Sequence, residues 1–287
     1  MSRTIMVAAA QTGPVESEDM KTMIPTALRM IDEAASRGAD ILTFGELFMS
    51  PFFPNRLIEN FDRFFTTPDS ELIEEIRAAA RKADVALILP FGERSNSGMY
   101  NSAMVLDRQG DIVGTYRKTH IPAYFPNEKV GGTGSYEKFY FTPGEGLPVF
   151  EVGGVKLGIQ ICNDRLYPEP SRVLALQGAE IIVMPICYSV YSDPEHRNAI
   201  WDVAMRARAF ENGVFVVAAN RVGSEGVRRH LGRSMIVDPR GSILVEASSE
   251  REELITATID VDSVSALRKK FPWWRDRRPD LYRPIAQ

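Results

Sequence analysis

Apolar residues along the chain follow two rhythms that alternate almost from its start. Runs over 5–10, 39–45, 85–89, 102–107, 112–116 and 155–161 have the length and aliphatic content of buried strands. Among them, 17–37 and 71–82 space their apolar residues as an amphipathic helix does, and Gly38 stands where a helix commonly ends. The second half repeats the pattern. A helix over 168–177 leads into a strand over 180–184, one over 194–212 into a strand over 214–219, and a last strand over 254–259 precedes a helix over 261–270. Two strand pairs, 102–107 with 112–116 and 233–237 with 242–245, flank the turns Arg108-Gln109-Gly110 and Asp238-Pro239-Arg240-Gly241, which predicts hairpins.

Strands alternating with helices make this an α/β protein. No linker, low-complexity block or internal repeat divides residues 1–287, so one domain is expected. A single doubly wound sheet is one arrangement. The hairpins fit it less well, because a parallel sheet needs a crossover between each pair of strands. Two sheets packed face to face with helices outside, a four-layer α-β-β-α sandwich, fit better. From about residue 271, Pro272-Trp273-Trp274 and scattered arginines suggest an extended tail whose apolar residues need another surface to cover them.

Composition narrows the function classes. With 44% hydrophobic and 25% charged residues the chain reads as soluble and globular, and a net charge of −4 gives no case for nucleic acid or an anionic membrane as partner. The cluster Arg228, Arg229 and Arg233 reads as a solvated loop, and Arg275, Arg277 and Arg278 as a tail feature able to pair across a subunit interface. No apolar run nears the roughly 20 residues of a membrane span, and the N-terminus lacks a signal-peptide layout, so a cytoplasmic location is expected. Two cysteines there should be free thiols. His120, His196 and His230 form no ligand-spaced pair, so neither a metal nor another cofactor is expected.

Three polar residues stand where a buried element ends. Glu46 follows the strand over 39–45, Lys118 follows 112–116, and Cys162 follows 155–161 and precedes a helix. Strand ends are where α/β folds usually display catalytic groups. Each also has a plain reading, since a lone cysteine after a strand is commonly packing and a terminal glutamate or lysine is commonly solvated. A thiol at a strand–turn–helix junction, followed by Asn163-Asp164-Arg165, can however have its thiolate favoured by nearby amides and a cation. Cys187 lacks such flanks and reads as packing or pocket lining.

The segments Phe44-Gly45-Glu46-Leu47, Tyr116-Arg117-Lys118-Thr119-His120-Ile121-Pro122 and Cys162-Asn163-Asp164-Arg165-Leu166-Tyr167-Pro168-Glu169 together resemble the Glu, Lys and Cys signatures of the nitrilase (carbon–nitrogen hydrolase) superfamily, in order and separation. Gly178-Ala179-Glu180-Ile181-Ile182 and Ala218-Ala219-Asn220-Arg221-Val222-Gly223 extend the likeness over nearly the whole chain. The resemblance implies the α-β-β-α sandwich, no cofactor, and a catalytic set acting on a non-peptide C–N bond. Glu46 would be the general base, Cys162 the nucleophile, and Lys118 with the backbone N–H of Asn163 the oxyanion donors. Glu137, in Tyr136-Glu137-Lys138, matches the place of a second glutamate that orients the lysine or the incoming water; a solvated loop carboxylate is the alternative. Family members pair through helices, which implies a homodimer or a higher even-numbered oligomer.

Within the family, Cys162-Asn163-Asp164-Arg165 is most similar to N-carbamoyl-amino acid amidohydrolases, especially the D-selective ones. The small-molecule substrate would then carry a ureido group and a carboxylate, with Arg165 offering the carboxylate a two-point fork. An ion pair of Arg165 with Asp164 or Glu169 is the structural alternative. Leu166 where those enzymes have a second arginine, Gly45 for a proline, Ser135 for a histidine, and the loop over 185–193 depart from that branch. Tyr124, Phe125 and Tyr136 could line the site. Another amidase, a nitrilase, or a non-catalytic binding relative are the other readings.

Overall fold

The computed structural model describes residues 2–122, 135–190 and 193–286. Its elements in chain order are β1 (Thr4–Gln11), α1 (Ile24–Ser36), β2 (Ile41–Thr43), α2 (Glu71–Ala83), β3 (Ala86–Ser95), β4 (Gly98–Leu106), β5 (Ile112–Arg117), α3 (Glu137–Tyr140), β6 (Val149–Val152) and β7 (Val155–Ile159). Then follow α4 (Pro168–Leu176), β8 (Ile181–Pro185), α5 (Pro194–Ala199), α6 (Val203–Asn212), β9 (Phe215–Ala219), β10 (Val222–Glu225), β11 (Arg228–Leu231), β12 (Met235–Val237), β13 (Ile243–Glu246), β14 (Glu253–Asp260) and α7 (Asp262–Lys270).

Two six-stranded sheets result, ordered β14-β1-β2-β3-β4-β5 and β6-β7-β8-β9-β12-β13. Each holds three parallel strands in its middle, β1-β2-β3 and β7-β8-β9, with antiparallel partners on both sides. The halves thus share one topology, with α1 and α2 as crossovers in the first, and α4 and the α5–α6 pair in the second. A doubly wound single sheet is excluded.

Alternation along the strands explains the four layers. In β1, Val7 and Ala9 face the second sheet, where they share a core with Ile159, Val183 and Val217; Ala8 and Ala10 face the helices, among Ala27, Met30 and Ile31 of α1. On the far side Met205 and Ala209 of α6 pack with Trp201 on Ile182, Val216 and Met235. Burial between the two sheets therefore fixes their relative position.

Several boundaries depart from the sequence reading. The helix expected over 194–212 is two, α5 and α6, because Trp201 turns inward between them and its indole N–H donates to the Arg233 carbonyl at 2.8 Å. The first helix starts at Ile24 after a 3-10 turn, rather than at 17. The cluster read as a solvated loop is partly strand: Arg228 is buried at the start of β11, and Arg233 pairs with Glu246. Beyond residue 271 the tail is a string of 3-10 turns, not fully extended. Trp273 meets Phe210, and Trp274 lies under the guanidinium groups of Arg172 and Arg268.

Ile159 is fully buried between the sheets. Ile159→Ala should lower the free energy of unfolding in denaturant titration by about 2–5 kcal/mol, whereas Ile112→Ala on the exposed edge strand β5 should change it by less than about 0.5 kcal/mol.

Candidate active site

Strand ends of both sheets meet beside one pocket, which Cys162 lines and behind which Glu46 and Lys118 are wholly buried. After Thr43 the backbone leaves the first sheet, and Glu46 N–H donates to the Ile186 carbonyl just past β8 at 3.2 Å. This crossing ends the strand expected over 39–45 early. It also explains Gly45, since a Cβ there would stand 3.0 Å from the Ile186 oxygen. Lys118 is the first residue after β5 and is held by its N–H on the Asn101 carbonyl at 2.8 Å. Cys162 opens a 3-10 turn over Cys162–Leu166 with left-handed backbone, φ 46°, a conformation that a non-glycine residue rarely adopts.

The ammonium of Lys118 is wholly buried between two carboxylates, 2.7 Å from Glu46 Oε1 and 2.6 Å from Glu137 Oε2. Asn101 Nδ2 donates to the same Oε1 of Glu46 at 2.8 Å, and Ser135 Oγ donates to Glu137 Oε1 at 2.9 Å. Glu46 Oε2 is buried with no hydrogen-bond partner among the described residues. Burial opposes the charge on Lys118, but Glu137 and Glu46 overcome it and hold its pKa well above the ordinary value. Burial raises the Glu137 pKa, with Glu46 adding to the effect against the pull of Lys118. Glu137 is thus no solvated loop residue.

Cys162 borders this group. Burial pushes its thiol up to about 12, and Glu46 adds to the shift, while Arg165, Lys118 and the backbone N–H of Cys187 work the other way. A thiol pKa raised this far favours the neutral form near neutral pH.

Arg165 pairs with neither Asp164 nor Glu169. Its Nη1 donates to the Cys162 carbonyl at 2.6 Å and lies 3.6 Å from the Cys162 sulfur, with the guanidinium near the rings of Tyr188 and Trp201. Asn163 Nδ2 donates to the His120 carbonyl at 2.9 Å. Asp164 ties the two sheets together: it accepts from Ile161 N–H at 2.8 Å and from the Tyr116 hydroxyl at 2.7 Å, and from His120 N–H at 2.9 Å.

The pocket has a volume of about 190 Å³; Glu137, Cys162, Asn163, Arg165 and Cys187 line it. Tyr188, Arg197, Trp201 and Arg228 line it as well, and the sequence marked none of them as a site residue: Tyr188 lies in the departing loop over 185–193, Arg197 and Trp201 in the stretch expected as one helix, and Arg228 in the cluster expected as a solvated loop. Tyr136 packs with the aromatic group around Phe53, while Tyr124 and Phe125 lie outside the described residues. Asn101 and Ser135 support the carboxylates, yet neither carries a sequence signal of that role. Among the described residues, no three His, Cys, Asp or Glu side chains are gathered to hold a metal ion, and no helix is long and apolar enough to cross a membrane.

Comparison with known proteins shows the family. The family model described as carbon-nitrogen hydrolase matches residues 6–269. The chain is 34% identical to an N-carbamoylputrescine amidase of Arabidopsis thaliana over 94% of this chain and 91% of that one. It is 33% identical to a citrullinase of Francisella tularensis, over 90% of each. The crystal structure of a carbon-nitrogen hydrolase from Helicobacter pylori superposes with a TM-score of 0.88 at 30% identity, covering 99% of both chains.

A neutral resting thiol is testable. Thiolate absorbance in the ultraviolet should show no step attributable to Cys162 between about pH 6 and about pH 9 when the protein is compared with Cys162→Ala. A step in that window lost with Cys162 would contradict the raised pKa.

Proposed function

The chain belongs to the carbon–nitrogen hydrolase family, and from that premise we propose that it cleaves the ureido group of N-carbamoyl-amino acids, giving the amino acid, ammonia and carbon dioxide. The observation that carries the chemistry is the arrangement of Glu46: one oxygen is fixed on Lys118, the other is unpartnered, and a thiol stands beside them.

Each residue then has one task. Glu46 Oε2 takes the Cys162 proton as the sulfur attacks the ureido carbon. The oxyanion is met by the Lys118 ammonium and the backbone N–H of Asn163. Glu46 returns the proton to the departing nitrogen, so ammonia leaves and the carbamoyl carbon stays bonded to sulfur. Water, losing a proton to Glu46 and positioned by Glu137, attacks that carbon. The C–S bond breaks, the thiol regains its proton, and the released carbamic acid loses carbon dioxide. Glu137 also holds Lys118 from the side opposite Glu46, which keeps the ammonium charged throughout.

Both named relatives support a ureido substrate, since N-carbamoylputrescine and citrulline each contain that group. The amino-acid end rests on the guanidinium groups of Arg165, Arg197 and Arg228 along the pocket. They favour a carboxylate and oppose a cationic amine such as N-carbamoylputrescine. The alternative, another amidase or a nitrilase activity, shares the same catalytic residues and lacks this use for the arginines.

Ammonia release from carbamoyl-amino acids, matching neutral amides, carbamoyl amines and nitriles tests the reading, with Cys162→Ala as the blank. Arg165→Ala should reduce kcat/KM for carbamoyl-amino acids about a hundredfold, and far less for the neutral amides. Equal losses on both would leave Arg165 as a support of the Cys162 turn and remove the carboxylate assignment from it.

Assembly is part of the same proposal. Leu166, Leu176, Val203 and Phe210 are exposed on and beside α4 and α6, an apolar surface that a second copy would cover. Light scattering at micromolar concentration should give a dimer or a higher even-numbered oligomer; a monodisperse monomer would refute it.

A further inference from the structure

The chain turns sharply after Glu46, with Leu47 in left-handed backbone at φ 50°. Three carbonyl oxygens around this turn converge on one nitrogen. Arg221 Nη2 donates to those of Glu46, Leu47 and Ser50 at 3.3, 2.9 and 2.9 Å. Arg221 comes from the other sheet, two residues past β9, and is only 2% exposed. Its Nη1 donates to Glu225 Oε1 at 2.5 Å. Glu225 also accepts the backbone N–H groups of Val15 at 3.0 Å and of Phe52, just beyond the turn, at 2.9 Å. Behind it His230 Nε2 stands 3.3 Å from Oε2, and His230 Nδ1 lies 3.6 Å from the Cys187 sulfur in the pocket wall. Burial works against the charge on Glu225, yet Arg221 overcomes it and holds the carboxyl well below the usual range. The proposed chemistry uses none of these groups.

We infer that Arg221, held in place by Glu225, is a positioning residue for the general base, fixing the turn over 46–50 so that Glu46 keeps Oε1 on Lys118 and presents Oε2 to the thiol. The turn lies outside both sheets; the Leu47 carbonyl also accepts the Ser50 N–H at 3.0 Å, whereas those of Glu46 and Ser50 are served by the donor that reaches them from the opposite layer. A guanidinium can serve those carbonyls through one nitrogen and a carboxylate through the other, because its N–H groups form a rigid planar fork; an ammonium gathers its three donors on one atom and lacks that separation. The inference rests on the role given to Glu46 above.

Two variants test it. Arg221→Met combined with Glu225→Gln removes both charges, so neither is left buried alone. Arg221→Lys keeps the charge without the fork, and is read the same way if the double variant loses its fold in thermal melts. With the carbamoyl-amino acid turned over fastest, kcat should fall about a hundredfold while KM stays within about twofold, as expected when a catalytic group is misplaced by about 1 Å. Alkylation of Cys162 by iodoacetamide, which needs no substrate, should slow in parallel. A folded variant with kcat within about threefold of wild type, or a loss carried by KM, overturns the inference. Glu46→Gln separates the two levels. If it keeps wild-type alkylation and turnover, the base assignment fails and takes the clamp with it. If it abolishes both while the Arg221 variants do not, the clamp alone fails.

Discussion

A lysine ammonium with no access to water, wedged between two carboxylates, is the constraint on which the rest of the site depends. An ion in that position is costly unless its partners are close and themselves satisfied. Here they are close, and all but one oxygen is satisfied: Asn101 completes Oε1 of Glu46, Ser135 completes Glu137, and the backbone of Lys118 is locked to Asn101, while Glu46 Oε2 has no partner among the described residues. Burial, reinforced by Glu46, raises the pKa of Glu137 against the pull of Lys118, and raises that of the neighbouring Cys162 thiol as well.

Glu46 and Lys118 belong to one sheet and Cys162 to the other. Their alignment is therefore a property of the interface between sheets. Tyr116 shows how it is maintained: its ring lies in the inter-sheet core, next but one to Lys118, and its hydroxyl reaches across to Asp164 in the turn after Cys162. Ile159 and Ile161 on the opposite side carry the same core up to the sulfur. Packing that would count as mere stability elsewhere sets the distances between these three side chains here.

Much of this was legible in the sequence because hydrophobic rhythm and chemistry coincide. Glu46, Lys118 and Cys162 each interrupt the end of an apolar run, and the hairpin of β4 and β5 announces itself by its turn. The parts that were not legible break that coincidence. The β10–β11 hairpin buries Arg228 and His230, with Glu225 nearly as enclosed, so its inward residues read as polar and the segment looked like a solvated loop. The break between α5 and α6 depends on Trp201 finding a carbonyl thirty-two residues away, which no local periodicity records. Arg165 stood out by its place three residues after Cys162, yet its hydrogen bond to the Cys162 carbonyl is visible only once the turn has been built.

The pocket wall and the groups beside it have different supports. Cys187, Tyr188, Arg197 and Trp201 all come from the single connection between β8 and α6, whereas Glu46, Lys118 and Cys162 stand at strand ends anchored in the core. Arg165 and Arg228 join the lining from elsewhere in the chain. One contiguous graft between β8 and α6 would therefore replace these four lining residues while leaving every strand of both sheets in place.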